Sequence, residues 1–116
     1  MNPPSVIDLA TFEALKDSMG ADFIQDLVQA YLEETPQLLS KLQHALPLKD
    51  CEAFRQAAHS IKSTSNSFGA LQFGALAKEL EMMGREARLD GASGKVDSLV
   101  SGFATVQQAL LELSRG

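Results

Sequence analysis

Apolar residues recur at intervals of three and four along four long stretches of the sequence, and this spacing limits the possible folds more than any other feature. It places the apolar side chains on one face of a helix. The predicted faces are Ile24, Leu27, Tyr31, Leu38, Leu42 and Ala45; Cys51, Phe54, Ala58, Ile61, Ser65 and Phe68; Phe73, Leu76, Leu80, Met83 and Ala87; and Val96, Leu99, Phe103, Val106, Leu110 and Leu113. Each face has a period near 3.5 residues, so each helix needs neighbours to cover it.

Capping residues and helix breakers divide the chain into five predicted helices, over residues 9–19, 22–46, 51–67, 71–89 and 96–113. Asp8 and Asp50 can cap the first and third helices through their carboxylates, and Gly20 and Gly69 end them. Pro36 removes one backbone hydrogen bond from the second helix. We therefore expect either a kink there or two collinear helices.

Short turns between long helices favour antiparallel neighbours. The sequence therefore predicts an all-α fold, an antiparallel up-down four-helix bundle with a short N-terminal capping helix. The 116 residues, 45% of them hydrophobic, fit one domain over residues 1–116.

Charge and hydropathy exclude several classes of function. The net charge of −5 opposes binding to a phosphate backbone, so nucleic acid is not an expected partner. No apolar run approaches the roughly 20 residues that cross a bilayer, and the first residues lack the features of a signal peptide. Cys51 is the only cysteine and is expected in the core. We expect a cytoplasmic domain with no direct membrane contact, although its parent protein could be anchored in the inner membrane.

His59 is the main candidate for chemistry. At about 100° of rotation per residue, it lies roughly 130° from the middle of the apolar face of its own helix, so its ring should face solvent. Lys62 follows one turn later on the same side. Ser63 is small and leaves room beside the ring for the active site of a partner protein. Three further polar residues flank this region and could support a bound anion, namely Arg55, Gln56 and Asn66.

A solvent-facing imidazole with a cation one turn away suits a carrier of phosphoryl groups. Neutral imidazole has a nucleophilic nitrogen, and phosphoryl transfer depends mainly on positioning and on charge balance at the phosphoryl oxygens. Spacing alone leaves two simpler interpretations open. His59 could be an ordinary exposed residue, and Lys62 could pair with an acidic side chain of a neighbouring helix.

The segment from His59 to Ser65 reads His-Ser-Ile-Lys-Ser-Thr-Ser, and it is followed by Gly69-Ala70, Leu76 and Leu80-Glu81. This run closely resembles the histidine-containing phosphotransfer (HPt) family, whose usual pattern is His-x-Leu-Lys-Gly and two small residues, then Gly-Ala, then a helix carrying Leu-Glu. The resemblance is tight over the third and fourth predicted helices and looser over the second. Ser63 stands where the family usually has glycine.

The resemblance implies a phosphorelay carrier that forms the terminal module of a bacterial hybrid sensor histidine kinase. His59 would accept a phosphoryl group from a receiver-domain aspartate and pass it to another receiver, while Lys62 holds the phosphoryl oxygens. The domain would be a monomer without its own ATP site or cofactor, and any Mg²⁺ would belong to the receiver. No metal site is expected. The alternative is a helical interaction module of the same fold that binds partners without phosphochemistry.

Overall fold

The computed structural model describes residues 6–115, and every regular element within that range is a helix. The five helices are α1 (Leu9–Met19), α2 (Ala21–Leu48), α3 (Cys51–Ser67), α4 (Leu71–Arg85) and α5 (Ala92–Arg115). The carboxylates of Asp8 and Asp50 accept backbone N–H groups at the starts of α1 and α3, as their sequence positions predict.

Helices α2 to α5 form the bundle, and α1 packs against α2 and α3 at its side. Each bundle helix contacts two others, in the order α2, α3, α4, α5 and back to α2. The core is formed by the predicted apolar faces together with residues from α1, including Phe12, which is almost completely buried. The predicted four-helix bundle with a short N-terminal capping helix is therefore confirmed.

The structure corrects four details. Helix α5 begins at Ala92 instead of residue 96. Helix α2 continues through Pro36, so a division into two helices is wrong. Helix α4 ends at Arg85 because Ala87 takes a positive φ of 55° and the next N–H, of Arg88, bonds back to the Met83 carbonyl. This closing pattern is a Schellman motif, and it leaves Ala87 exposed outside the core. Cys51 is only partly buried.

The C-terminal part of α3 is fixed by specific contacts. Gly69, just beyond its C-terminus, has a φ of 89°, and its carbonyl accepts the Asp8 N–H at 2.8 Å. A Cβ at Gly69 would lie 2.7 Å from the Asp8 carbonyl oxygen, so only glycine fits. Within the core, the hydroxyls of Tyr31 and Ser65 hydrogen-bond at 2.7 Å and join α2 to α3. These contacts fix the helix that carries His59.

No stretch within residues 6–115 has the length and apolar character of a membrane-spanning helix.

Candidate functional site

The imidazole of His59 projects from the middle of α3 into solvent. Its neighbours Ala58 and Ile61 are completely buried, whereas 54% of the His59 side chain is exposed. The ring therefore lies on the outer side of the helix, as its register predicts.

Helix α4 lies unusually close to α3 because its facing side carries small residues. Gly74, Ala77 and Gly84 are all buried there. A Cβ added to Gly84 would lie 3.0 Å from the backbone nitrogen of Arg55, tighter than ordinary van der Waals contact. This close approach brings the one acidic residue of that side, Glu81, against the residues of α3.

Glu81 connects the candidate residues of α3. Its side chain is only 3% exposed. One carboxylate oxygen, Oε2, lies 2.7 Å from Nδ1 of His59, and the other, Oε1, lies 2.7 Å from Nζ of Lys62. The pairing of Lys62 with an acidic side chain of a neighbouring helix is therefore present, and it directs the ammonium group to the same side as the imidazole.

Burial alone would raise the pKa of the Glu81 carboxyl group. The hydrogen bonds from Lys62 and His59, and the positive charge of these partners, outweigh burial and hold that pKa below its ordinary value. Glu81 is therefore a carboxylate at neutral pH.

The charge of Glu81 determines which ring nitrogen of neutral His59 carries the proton. A carboxylate can only accept hydrogen bonds, so Nδ1 must be the donor. The lone pair of the neutral ring then lies on Nε2, for which the described residues provide no hydrogen-bond partner. The site thus presents a nucleophilic nitrogen toward solvent, with the ammonium group of Lys62 nearby.

The chain is also similar to known proteins in sequence and in fold. The sequence profile of the Hpt domain matches residues 26–116. This chain belongs to the Hpt family. A solved structure, the histidine-containing phosphotransfer protein B (HptB) from Pseudomonas aeruginosa PAO1, is similar with a TM-score of 0.89 and 25% identity, covering 97% of each chain. A comparison with curated protein sequences gives no significant match.

As an Hpt domain, the protein has a histidine phosphotransfer role in a two-component phosphorelay. Domains of this family are phosphocarriers rather than kinases, and they interact with the receiver domains of response regulators.

Two of the predicted supporting residues of this Hpt domain pair with Glu52 instead of the imidazole. The Arg55 guanidinium contacts Glu52, one turn earlier in α3, and Nε2 of Gln56 donates to the same carboxylate at 3.2 Å. The contacts of Arg55 and Glu52 lower the pKa of Glu52 and raise that of Arg55. Neither Arg55 nor Gln56 hydrogen-bonds to His59, although the charge of Glu81 also helps to raise the pKa of Arg55.

The other two predicted supporting residues are exposed on α3. Asn66 lies over Gly74, where an added Cβ would fall 2.1 Å from its Oδ1, so its side chain is packed against α4. Ser63 is exposed one turn beyond His59. Its carbonyl accepts the Ser67 hydroxyl at 3.1 Å.

Glu81 and Arg85 also belong to this cluster, although the sequence patterns predict no role for either. Nη2 of Arg85 lies 3.6 Å from Oε2 of Glu81. The sequence did contain a signal, because Glu81 is the only charged residue in register with Gly74, Ala77 and Gly84. Within residues 6–115, no group of three or more His, Cys, Asp or Glu side chains is arranged to hold a metal ion.

Proposed function

We propose that His59 is the phosphoacceptor of this Hpt domain and that Nε2 is the atom that carries the phosphoryl group. The observation that supports this assignment is the 2.7 Å hydrogen bond between Nδ1 and the buried carboxylate of Glu81, on a ring whose side chain is 54% exposed. The bond fixes the orientation of the ring and its tautomer, and it leaves Nε2 open to a partner.

In the forward step, the Nε2 lone pair attacks the phosphorus of an aspartyl phosphate on a receiver domain. The N–P bond forms while the P–O bond to the aspartate breaks, and the aspartate leaves as a carboxylate. The Nδ1 proton stays on the ring, where Glu81 balances the positive charge that develops on the imidazole. The reverse step transfers the phosphoryl group to the aspartate of a second receiver.

Lys62 would hold the phosphoryl oxygens. An ammonium group has three N–H donors, and Glu81 accepts one of them at 2.7 Å. The other donors remain free to bind a phosphoryl group on the neighbouring ring. Glu81 would then position Lys62 and His59 for the same ligand.

The receiver would dock over the groove between α2 and α3. Its walls include Gln56 and Ser60, which lie on either side of His59 in the sequence, together with Leu38, Lys41 and His44 of α2. Most of the other lining residues are apolar, and Lys41 and Asp50 contribute one charge of each sign, so the groove suits a partner surface that is mainly apolar. Any Mg²⁺ that assists the transfer would be bound by the receiver.

The remaining features of the proposal follow from the family resemblance and the composition. The domain would act as a monomer in the cytoplasm, without a cofactor of its own. Its parent protein would be a hybrid sensor histidine kinase that supplies the ATP site and could be anchored in the inner membrane.

The test is phosphorylation by a phosphorylated receiver domain, followed with a labelled phosphoryl group that is acid-labile and base-stable. His59→Gln should abolish the label on this domain. His44→Gln removes the other histidine and shows which of the two is labelled: its domain should still acquire the label, and only its rate should respond, because His44 lines the proposed docking groove. A wild-type domain that binds the receiver but never acquires the label would indicate a non-catalytic interaction module instead.

A further inference from the structure

We propose that Arg85 is a second phosphoryl-binding residue of this site, which acts beside Lys62 once His59 is phosphorylated. This inference rests on the proposed function, because it assumes a phosphoryl group on Nε2 of His59. It assigns to α4 a direct role in holding the transferred group.

The first support for the proposal is that Arg85 lies beside the carboxylate that contacts His59. Its Nη2 atom lies 3.6 Å from Oε2 of Glu81, the same oxygen that faces Nδ1 of His59 at 2.7 Å. The guanidinium and the imidazole therefore share one carboxylate oxygen. A phosphoryl group on the ring would be within reach of the long Arg85 side chain.

Arg85 is also the least constrained cation around Glu81. A separation of 3.6 Å is too long for a hydrogen bond, and 59% of the Arg85 side chain is exposed. Lys62, by contrast, is 24% exposed and lies at 2.7 Å from the carboxylate. Arg85 can thus turn toward a new anion without losing a hydrogen bond that it already makes.

The chemistry of the guanidinium group fits this ligand. Its planar set of N–H donors can bind two phosphate oxygens at once, which an ammonium group does less well. Arg55 has the same group but is paired with Glu52, so its donors are already engaged. The geometry therefore assigns to Arg85 the role that the sequence suggested for Arg55.

Phosphorylation would also change the charge balance in a way that favours this movement. In the unmodified domain, the single negative charge of Glu81 faces two positive charges, those of Lys62 and Arg85. A phosphoryl group adds up to two negative charges beside them. Arg85 is the cation that can respond, because its present contact is the longest of the three around Glu81.

The experiment uses the isolated protein, so that receiver docking cannot contribute. Phosphoramidate serves as the donor: Nε2 of His59 attacks its phosphorus, the P–N bond of the donor breaks, and ammonia leaves. Phosphorus NMR then follows the phosphohistidine signal as a function of pH and gives the second pKa of the phosphoryl group. The proteins are the wild type, Arg85→Gln, Arg85→Lys and Arg88→Gln.

A cation bound to the phosphoryl oxygens lowers that pKa. Arg85→Gln should therefore raise it by roughly 0.3–0.7 of a pH unit, the scale of an exposed ion pair. Arg85→Lys should recover part of the shift. Arg88→Gln removes an equal charge three residues later, beside Lys78 and Lys95 in the groove on the other side of α4, and should leave the pKa within the measurement error.

The Glu81→Gln background shows whether Arg85 contacts the phosphoryl group directly or acts on it only through the Glu81 carboxylate. In that background, Arg85→Gln should still raise the phosphoryl pKa by a similar amount. An unchanged pKa in Arg85→Gln, or a shift equal to that of Arg88→Gln, would overturn the role of Arg85. A wild-type protein that gives no phosphohistidine signal would instead overturn the proposed function itself, while circular dichroism confirms that each variant is folded.

Discussion

The carboxylate of Glu81, on α4, accepts a hydrogen bond from Nδ1 of His59, on α3, at 2.7 Å. Glu81 is buried and His59 is half exposed, so the bond joins the interior of the bundle to the exposed face of α3. The close packing of α3 against α4 thereby controls the tautomer of the imidazole and the position of the cations around it.

Removal of the Glu81 side chain should slow phosphorylation of His59. In Glu81→Ala, the ring loses the acceptor that fixes its proton on Nδ1, and Lys62 loses its counterion. The loss of one charge-assisted hydrogen bond corresponds to a decrease of about tenfold in rate. The rate with phosphoramidate measures this effect. Glu79→Ala is the control, since Glu79 is exposed and pairs with Lys95, and its rate should stay at the wild-type value.

Acid should destabilise the domain partly through Glu81. The ordinary pKa of a glutamate is near 4.5, and the pKa of Glu81 in the folded state lies below it. The contribution of Glu81 to the free energy of unfolding is therefore complete above pH 4.5. The contribution should be lost as the pH falls through the lower pKa of the folded state. Urea denaturation at a series of pH values should show a shallower acid dependence for Glu81→Gln than for the wild type. Parallel curves for the two proteins would contradict this expectation.

Gly84→Ala should lower both stability and transfer. The new Cβ would lie 3.0 Å from the Arg55 backbone nitrogen, and a backbone atom cannot move aside as a flexible side chain can. We expect a loss of about 1–3 kcal/mol in the free energy of unfolding, measured with urea. Gly102→Ala is the comparison, because its Cβ would meet only Phe73, at 3.9 Å, and the change should stabilise α5 by about 0.5–1 kcal/mol.

The size of residue 63 should determine whether a receiver can approach. Ser63 is exposed one turn beyond His59, where the family usually has glycine. Ser63→Gly should preserve transfer from a receiver, and Ser63→Phe should block it by steric hindrance. Both variants should still react with phosphoramidate, which is small. Normal receiver transfer in the Phe variant would refute the steric explanation.

The hydrogen bond between Tyr31 and Ser65 should contribute to stability without affecting the chemistry. Tyr31→Phe leaves the buried Ser65 hydroxyl without its partner and should cost about 1–2 kcal/mol in the free energy of unfolding. Adding Ser65→Ala should recover part of this loss, since it removes the unpaired group. A double-mutant cycle in urea measures the coupling, and phosphorylation of His59 should be unchanged in the folded variants.

Local sequence patterns predicted the helices well because apolar period and capping residues act over a few residues. The starts of α1 and α3 at Asp8 and Asp50, and the exposure of His59, followed from these signals alone. The end of α4 did not, because alanine seldom adopts the positive φ of Ala87. The partners of charged side chains were the least predictable feature. Glu81 and Arg85 come close to His59 only when α3 packs against α4. Arg55 pairs with Glu52 because that carboxylate is within its reach in the folded helix, and the sequence does not show which carboxylate this will be.

The small residues along α4 have one more consequence. Because Gly84 brings α4 against the backbone of α3 at Arg55, the helix that carries the proposed nucleophile has little room to shift when a partner docks. Discrimination between one receiver and another must then come from how well each incoming surface fits a stationary target.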